Sequence, residues 1–181
     1  MATGDVETAA RADPETGRPA RHATELESSF RSAMRRVAAT VALVTTRDAQ
    51  GCPHGVAASS VIPVSMDPPS MLVAVNRGAS IHLPLSAVRR FCVNVLGSGQ
   101  HELLARFSQS ALRDQRFAGN DWQQGPRELP WLASAPAAVF CEVEQSIDYG
   151  THTIFIGRVH DIVFGSDAEP MVWLGGAARR T

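Results

Sequence analysis

At 181 residues, with 44% hydrophobic and 19% charged residues, the chain has the size and composition of one globular domain that buries its own core without disulfide or metal staples. A formal net charge of −1 leaves no electrostatic footprint for nucleic acid or an anionic membrane, so the expected partner is a small molecule or a protein. The three cysteines, Cys52, Cys92 and Cys141, form no CxxC pair, which argues against a zinc knuckle or redox dithiol and suits a reducing cytosol.

Residues 1–24 mix Ala, Thr, Gly, Pro and charges without apolar periodicity and are expected to be a disordered tail preceding a domain over residues 25–181. That tail lacks the apolar core of a signal peptide, and no apolar run reaches the roughly 20 residues of a membrane span. A cytoplasmic protein is therefore expected. From Glu25 to Val37, Leu26, Phe30, Ala33, Met34 and Val37 recur at helical spacing, which predicts one short helix. "ATVALVTTRDAQGCPHGVAASSVIPVS" predicts two strands around the polar turn "RDAQG", that is, a hairpin. "DPP" at Asp67–Pro69 breaks the pairing because proline lacks an amide donor, and "SMLVAVN" resumes as a strand.

"IHLPLSAVRR" predicts a short helix starting near Pro84, and "RFCVNVL" a strand with Phe91, Val93 and Val95 on one face. "GSGQHELLARFS" predicts a helix capped by Ser98. The stretch from Ala111 to Pro130, rich in Gln, Arg, Gly and Pro with Phe117, Trp122 and, just beyond, Trp131 as anchors, is expected to be a long excursion. Three strand candidates close the chain: "AAVFCEVEQSIDYG", "THTIFIGRVHDIVFG" and "PMVWLG". Long alternating strands with few helices predict a mainly β fold with flanking α, an antiparallel barrel rather than a parallel sheet.

Most catalytic signatures fail on spacing. In "LGSGQHELLA" the dinucleotide fingerprint would need a small residue where Glu102 stands, so the stretch reads as a capped helix after a strand. Of six histidines, His152 and His160 lie eight residues apart on one strand, roughly 26 Å at about 3.3 Å per residue, too far to share an ion. No metal site is expected. No GxSxG elbow supports a hydrolase triad. What survives is a run of small residues, Ala57, Ala58, Ser59 and Ser60, inside a predicted strand. Their backbone is open to a flat ligand and the two hydroxyls can bond ring edges or phosphate. A second polar cluster, "NRGAS" from Asn76 to Ser80, follows a strand end and offers Arg77, Ser80 and glycine-permitted turns that suit phosphate.

"FRSAMRRVAATVALVTT", "GVAASSVIPVSMDPPSMLVAVNR", "RFCVNVL", "HELLARF" and "GTHTIFIGRV" resemble, in order, the segments of the flavin reductase-like family, the short-chain reductases of two-component flavin-dependent monooxygenases. The resemblance runs from Phe30 to Leu174. It implies a six-stranded antiparallel split β-barrel with flanking helices, usually a homodimer with its flavin site near the subunit interface. It implies an NAD(P)H:flavin oxidoreductase that transfers hydride from NADH or NADPH to FMN or FAD and supplies a partner monooxygenase through diffusing reduced flavin.

By the same resemblance the flavin ring lies along Ala57, Ala58, Ser59, Ser60 and Val61, and its phosphate meets the turn of Asn76, Arg77 and Ser80. Phe107 lies near the cofactor, His152 faces the nicotinamide, and Trp173 matches a position commonly aromatic. Relatives often carry Thr where this chain has Ala57 and Ser where it has Pro63, and its "GGAARRT" ending is shorter and less aromatic. No acid–base triad is needed, because both reacting atoms belong to cofactors. The same barrel also hosts pyridoxamine phosphate oxidase-like enzymes and flavin-binding proteins without NAD(P)H turnover. A haem-binding split barrel would use His152 or His160 as an iron ligand.

Overall fold

The structure, a computed structural model, describes residues 20–179. The first 19 residues of the expected tail lie outside the described residues. The chain divides into two compact units between Val37 and Ala38. The described part of the first is helix α1 (Ala20–Met34), displaced toward the N terminus from the expected 25–37. It stops early because its last turn tightens: Arg36 N–H donates to Ala33 O and Val37 N–H to Met34 O, three residues back.

The second unit begins with β1 (Ala39–Thr40), β2 (Ala42–Arg47), β3 (Pro53–Ala58), β4 (Val61–Met66) and β5 (Pro69–Asn76). Helix α2 (His82–Val88), β6 (Arg90–Val95) and α3 (His101–Ser108) follow, then the short β7 (Trp122–Gln124) and β8 (Pro130–Leu132). The long β9 (Ala137–Tyr149) and β10 (His152–Phe164) precede β11 (Val172–Leu174) and β12 (Ala177–Arg179). Seven strands form one antiparallel sheet in the order β3-β2-β6-β9-β10-β5-β4.

β3 and β4 are the two edges of that sheet, yet only Ser59 and Ser60 join them. Two residues span at most about 7 Å. The sheet must therefore curl until its edges nearly meet, and Ser60 carries the β4–β5 ladder one residue further into that corner: its O accepts Ala74 N–H at 3.1 Å and its Oγ donates to Ala74 O at 2.9 Å. This is the expected split barrel, with a seventh strand because the one strand expected after the "RDAQG" turn breaks at the two serines.

Alternation sends successive residues of β2 to opposite faces, and both faces are covered: Leu43 and Val44 are each fully buried. Val44 joins Val73, Val75, Phe91, Val93 and Phe155 inside the curl, plugged by Ile81 and Leu85 at α2. Leu43 joins Leu96, Phe107, Leu132 and Met171 outside it. Gly157 sits where Phe91 crosses, with Phe91 Cε1 only 2.7 Å from where a Cβ would stand. Cys92 and Cys141 are buried packing residues; burial pushes both thiols up, Cys141 to about 12, so neither offers a thiolate.

Two local expectations are corrected. Ser98 does not cap α3: Gln100 holds the N-cap position without a side-chain cap bond. Its Oε1 instead accepts Gly97 N–H at 2.8 Å and its Nε2 donates to Ser134 Oγ at 2.7 Å. The excursion from Ala111 to Pro130 carries a 3-10 turn (Ser110–Gln115) and the β7–β8 hairpin. Buried Asn94 docks that hairpin, accepting Leu132 N–H at 2.8 Å and donating to Leu43 O at 3.1 Å. Three-residue strands are too short to show a period. No helix among the described residues is long and apolar enough to cross a membrane.

Candidate functional site

β3 runs out on Ala57 and Ala58, whose side chains end at Cβ, and the space above them stays empty. Two cavities, of about 230 Å³ and about 200 Å³, share Ala57, Ala58 and Ser59 as a common wall. The larger is apolar, closed by Val41, Leu104 and Trp173 with the Ser108 hydroxyl beside them. The smaller lies at the seam of the curled sheet and is more polar, lined by Ser60, Asn76 and His152 with Ala74 and Ala79. No carboxylate among the described residues lines either one. An anionic ligand therefore meets no like charge there.

Each wall is positioned by ordinary backbone logic. Leu104 and Ser108 are four apart on α3 and so share a face; Ser108 Oγ folds back to donate to Leu104 O at 2.8 Å. Trp173 is carried by β11, paired through Ala39 to β1. Met171 N–H, donating to Leu96 O at 2.7 Å, ties that segment to the sheet. Asn76 ends β5 in a tight turn, its Oδ1 accepting Gly78 N–H at 2.8 Å and its O accepting Ala79 N–H at 2.9 Å. His152 opens β10 directly opposite Asn76, and its Nδ1 lies 2.9 Å from Thr151 Oγ1.

Of the residues expected to act together, Ala57, Ala58, Ser59, Ser60, Asn76 and His152 surround the smaller cavity, while Trp173 closes the larger. Val61 packs against the interior. Arg77 is turned away from both cavities: its Nη2 donates to Gly150 O at 2.5 Å and its N–H to Thr151 O at 2.9 Å, pinning the β9–β10 turn. Ser80 is half-buried beside α2 and lines neither cavity.

Phe107 lies in the core at 1% exposure, against Phe117 and Trp122, and reaches the site only through β3. A Cβ on Gly55 would collide with Phe107 Cε1, so the glycine lets this ring press against the strand that ends in Ala57 and Ala58. Buried Arg116 clamps the same point, its Nη1 donating to Gly55 O at 3.0 Å. Burial, then Arg113, lowers its pKa. The sequence reading did not reach Val41, Leu104 or Ser108; the four-residue spacing on α3 was the available signal.

A flat heteroaromatic ring fits a wall made of two alanines, and a phosphate or polyol fits the hydroxyl and amide groups around the seam. The chain's own groups offer stacking and hydrogen bonding, with one imidazole at the rim.

A family model described as the flavin reductase like domain matches residues 34–181. The chain is 40% identical over 147 residues, 81% of its length and 82% of the relative's, to the FMN reductase (NADH) RutF of Pseudomonas syringae. It is 36% identical over 148 residues, 80% of its length and 82% of the relative's, to the reductase component of the FADH(2)-dependent resorcinol hydroxylase of a Rhizobium species. Among solved structures it is similar to the NADH:FAD oxidoreductase of Streptomyces globisporus C-1027 in complex with NAD and FAD fragments, with a TM-score of 0.78 at 29% identity, covering 96% of this chain and 97% of that one.

Proposed function

The chain belongs to the flavin reductase-like family, and from that premise we propose that it is an NADH-dependent flavin reductase that reduces FMN or FAD for a separate flavin-dependent monooxygenase. The observation that carries the reading is the wall of Ala57, Ala58 and Ser59 shared by two uncharged cavities. When bound, flavin accepts a hydride from the nicotinamide. The protein's part is to hold two rings against each other and exclude water, which converts a bimolecular encounter into a near-attack geometry.

Ala57, Ala58 and Ser59 supply the surface for the flavin ring, and the Asn76 turn with the Ser59 hydroxyl supplies polar contacts for its tail, while Ser60 Oγ, whose proton goes to Ala74 O, is left to accept. Trp173 and Leu104 offer an apolar wall on the other side of β3. His152, at the rim of the polar cavity, faces the nicotinamide. The three unpaired cysteines and the NADH donor suit a cytoplasmic setting.

The working unit is a homodimer. One half of the sheet's outer surface is covered by α3 and the β7–β8 hairpin. Across β4, β5, β10 and β9 the outward row of Ile62, Leu72 and Ile156, with Ile154 and Ile147 beside it, is apolar and open, Ile62 and Ile147 being about half exposed at 53% and 51%. Contiguous apolar surface of this kind marks a protein interface, and a second copy of the chain supplies a matching face about a twofold axis.

Steady-state NADH oxidation together with equilibrium flavin binding tests the assignment of the two ligands. His152→Ala raises the KM for NADH about tenfold and leaves the flavin Kd within about twofold. Equal losses in both ligands would contradict the assignment of His152 to the nicotinamide.

A further inference from the structure

Tyr149 is the only tyrosine of the chain, and at 81% exposure it is also one of the most open large side chains. It ends β9 directly opposite His152, and His152 stands opposite Asn76. Residues directly opposite in antiparallel strands point to the same face. Asn76, His152 and Tyr149 therefore form one row across three neighbouring strands, and the first two line the polar cavity. At about 4.8 Å between strands, the tyrosine stands one strand beyond the imidazole.

The turn that carries this ring is fixed. Gly150 supplies the left-handed conformation at φ +55°, which β-turns of this kind require and other residues adopt at a cost. Arg77 then holds it from the neighbouring strand end through Gly150 O and Thr151 O. An exposed aromatic ring one strand beyond a cavity-lining imidazole, carried by a turn whose backbone is already pinned, offers a flat face on which a flat ligand can stack.

We propose that the Tyr149 ring is a stacking platform for the nicotinamide dinucleotide, beside His152, and that it sets affinity for that substrate rather than for flavin. The inference rests on the reductase reading. It assigns the dinucleotide to the β9–β10 turn and leaves the flavin on the alanine wall.

Tyr149→Ala and Tyr149→Phe are compared with the wild type by steady-state NADH oxidation, flavin binding, thermal midpoint and solution mass. Tyr149→Ala raises the KM for NADH about tenfold, as loss of one aromatic–base stack predicts, with kcat and flavin Kd within about twofold and mass unchanged. Tyr149→Phe, which keeps the ring, restores the KM. An unchanged KM in an active Tyr149→Ala enzyme would overturn the proposal while the reductase reading stands. A KM rise accompanied by a fall in thermal midpoint and not rescued by Phe would overturn it in favour of a structural role. Absence of NADH oxidation by the wild type with either flavin would overturn both.

Discussion

Ala57 and Ala58 matter for what they lack. In a strand, larger β-branched residues normally fill the space above the backbone, and here two methyl groups leave two cavities meeting at one wall. Ser59 belongs to both cavities, is exposed and lies just beyond β3, so a larger side chain there fills the site without crowding the core. Ser59→Leu raises the flavin KM about tenfold while the thermal midpoint stays within a few degrees of wild type; equal flavin affinity in the variant would move the ligand elsewhere. The small residues were legible as an anomaly in the sequence because they sit inside a strand pattern. The companions Val41, Leu104 and Ser108 were not, because they come from two separate parts of the chain, the β1–β2 junction and helix α3, and only tertiary packing brings them to β3. Arg77 shows a related point: an arginine after a strand reads as an anion ligand, and here one guanidinium N–H is engaged with Gly150 O while the backbone N–H bonds Thr151 O, so its part in the turn was not legible from sequence.

At the scale of elements, the decisive event is the break at Ser59–Ser60. It turns one apparent strand into two sheet edges and creates the seam where the polar cavity lies. Strand periodicity located every long strand, and residue pairing then follows from alternation. The β7–β8 hairpin and β12 escaped because three residues carry no readable period, and their placement depends on long-range partners such as Asn94. Helix starts were blurred where capping was assigned to a serine, while the structure uses Gln100 for the neighbouring backbone. A close contact within the sheet lies at Gly157, whose missing Cβ admits the Phe91 ring and the Cys141 Cβ, at 2.7 Å and 2.9 Å from its ideal position. Gly157→Ala destabilises the fold by about 1–3 kcal/mol through overpacking, measured by denaturant unfolding; a neutral effect would mean that the β9–β10 pair yields more readily than its packing indicates.

For the whole molecule, the sheet is covered unevenly. Inside the curl and beneath α3 it is closed, whereas across β4, β5, β10 and β9 it presents isoleucines and a leucine to solvent. The polar cavity opens at one end of that bare face, since Asn76 and His152 belong to the same row of strands. The proposed homodimer, formed there, would place each site at the edge of the interface. Ile154→Lys puts a charge in the middle of the face and should halve the solution mass measured by sedimentation, with far-ultraviolet circular dichroism unchanged; a dimer that survives this change would have to use another surface. The central claim is that this chain passes hydride from NADH to flavin that it takes up and releases. Its most direct test is NADH oxidation at catalytic protein concentration as FMN or FAD is raised. The account predicts a rate that climbs and saturates with flavin over many turnovers per protein molecule. Contradiction would be an NADH signal that stays flat with both flavins, or one that stops after a single equivalent.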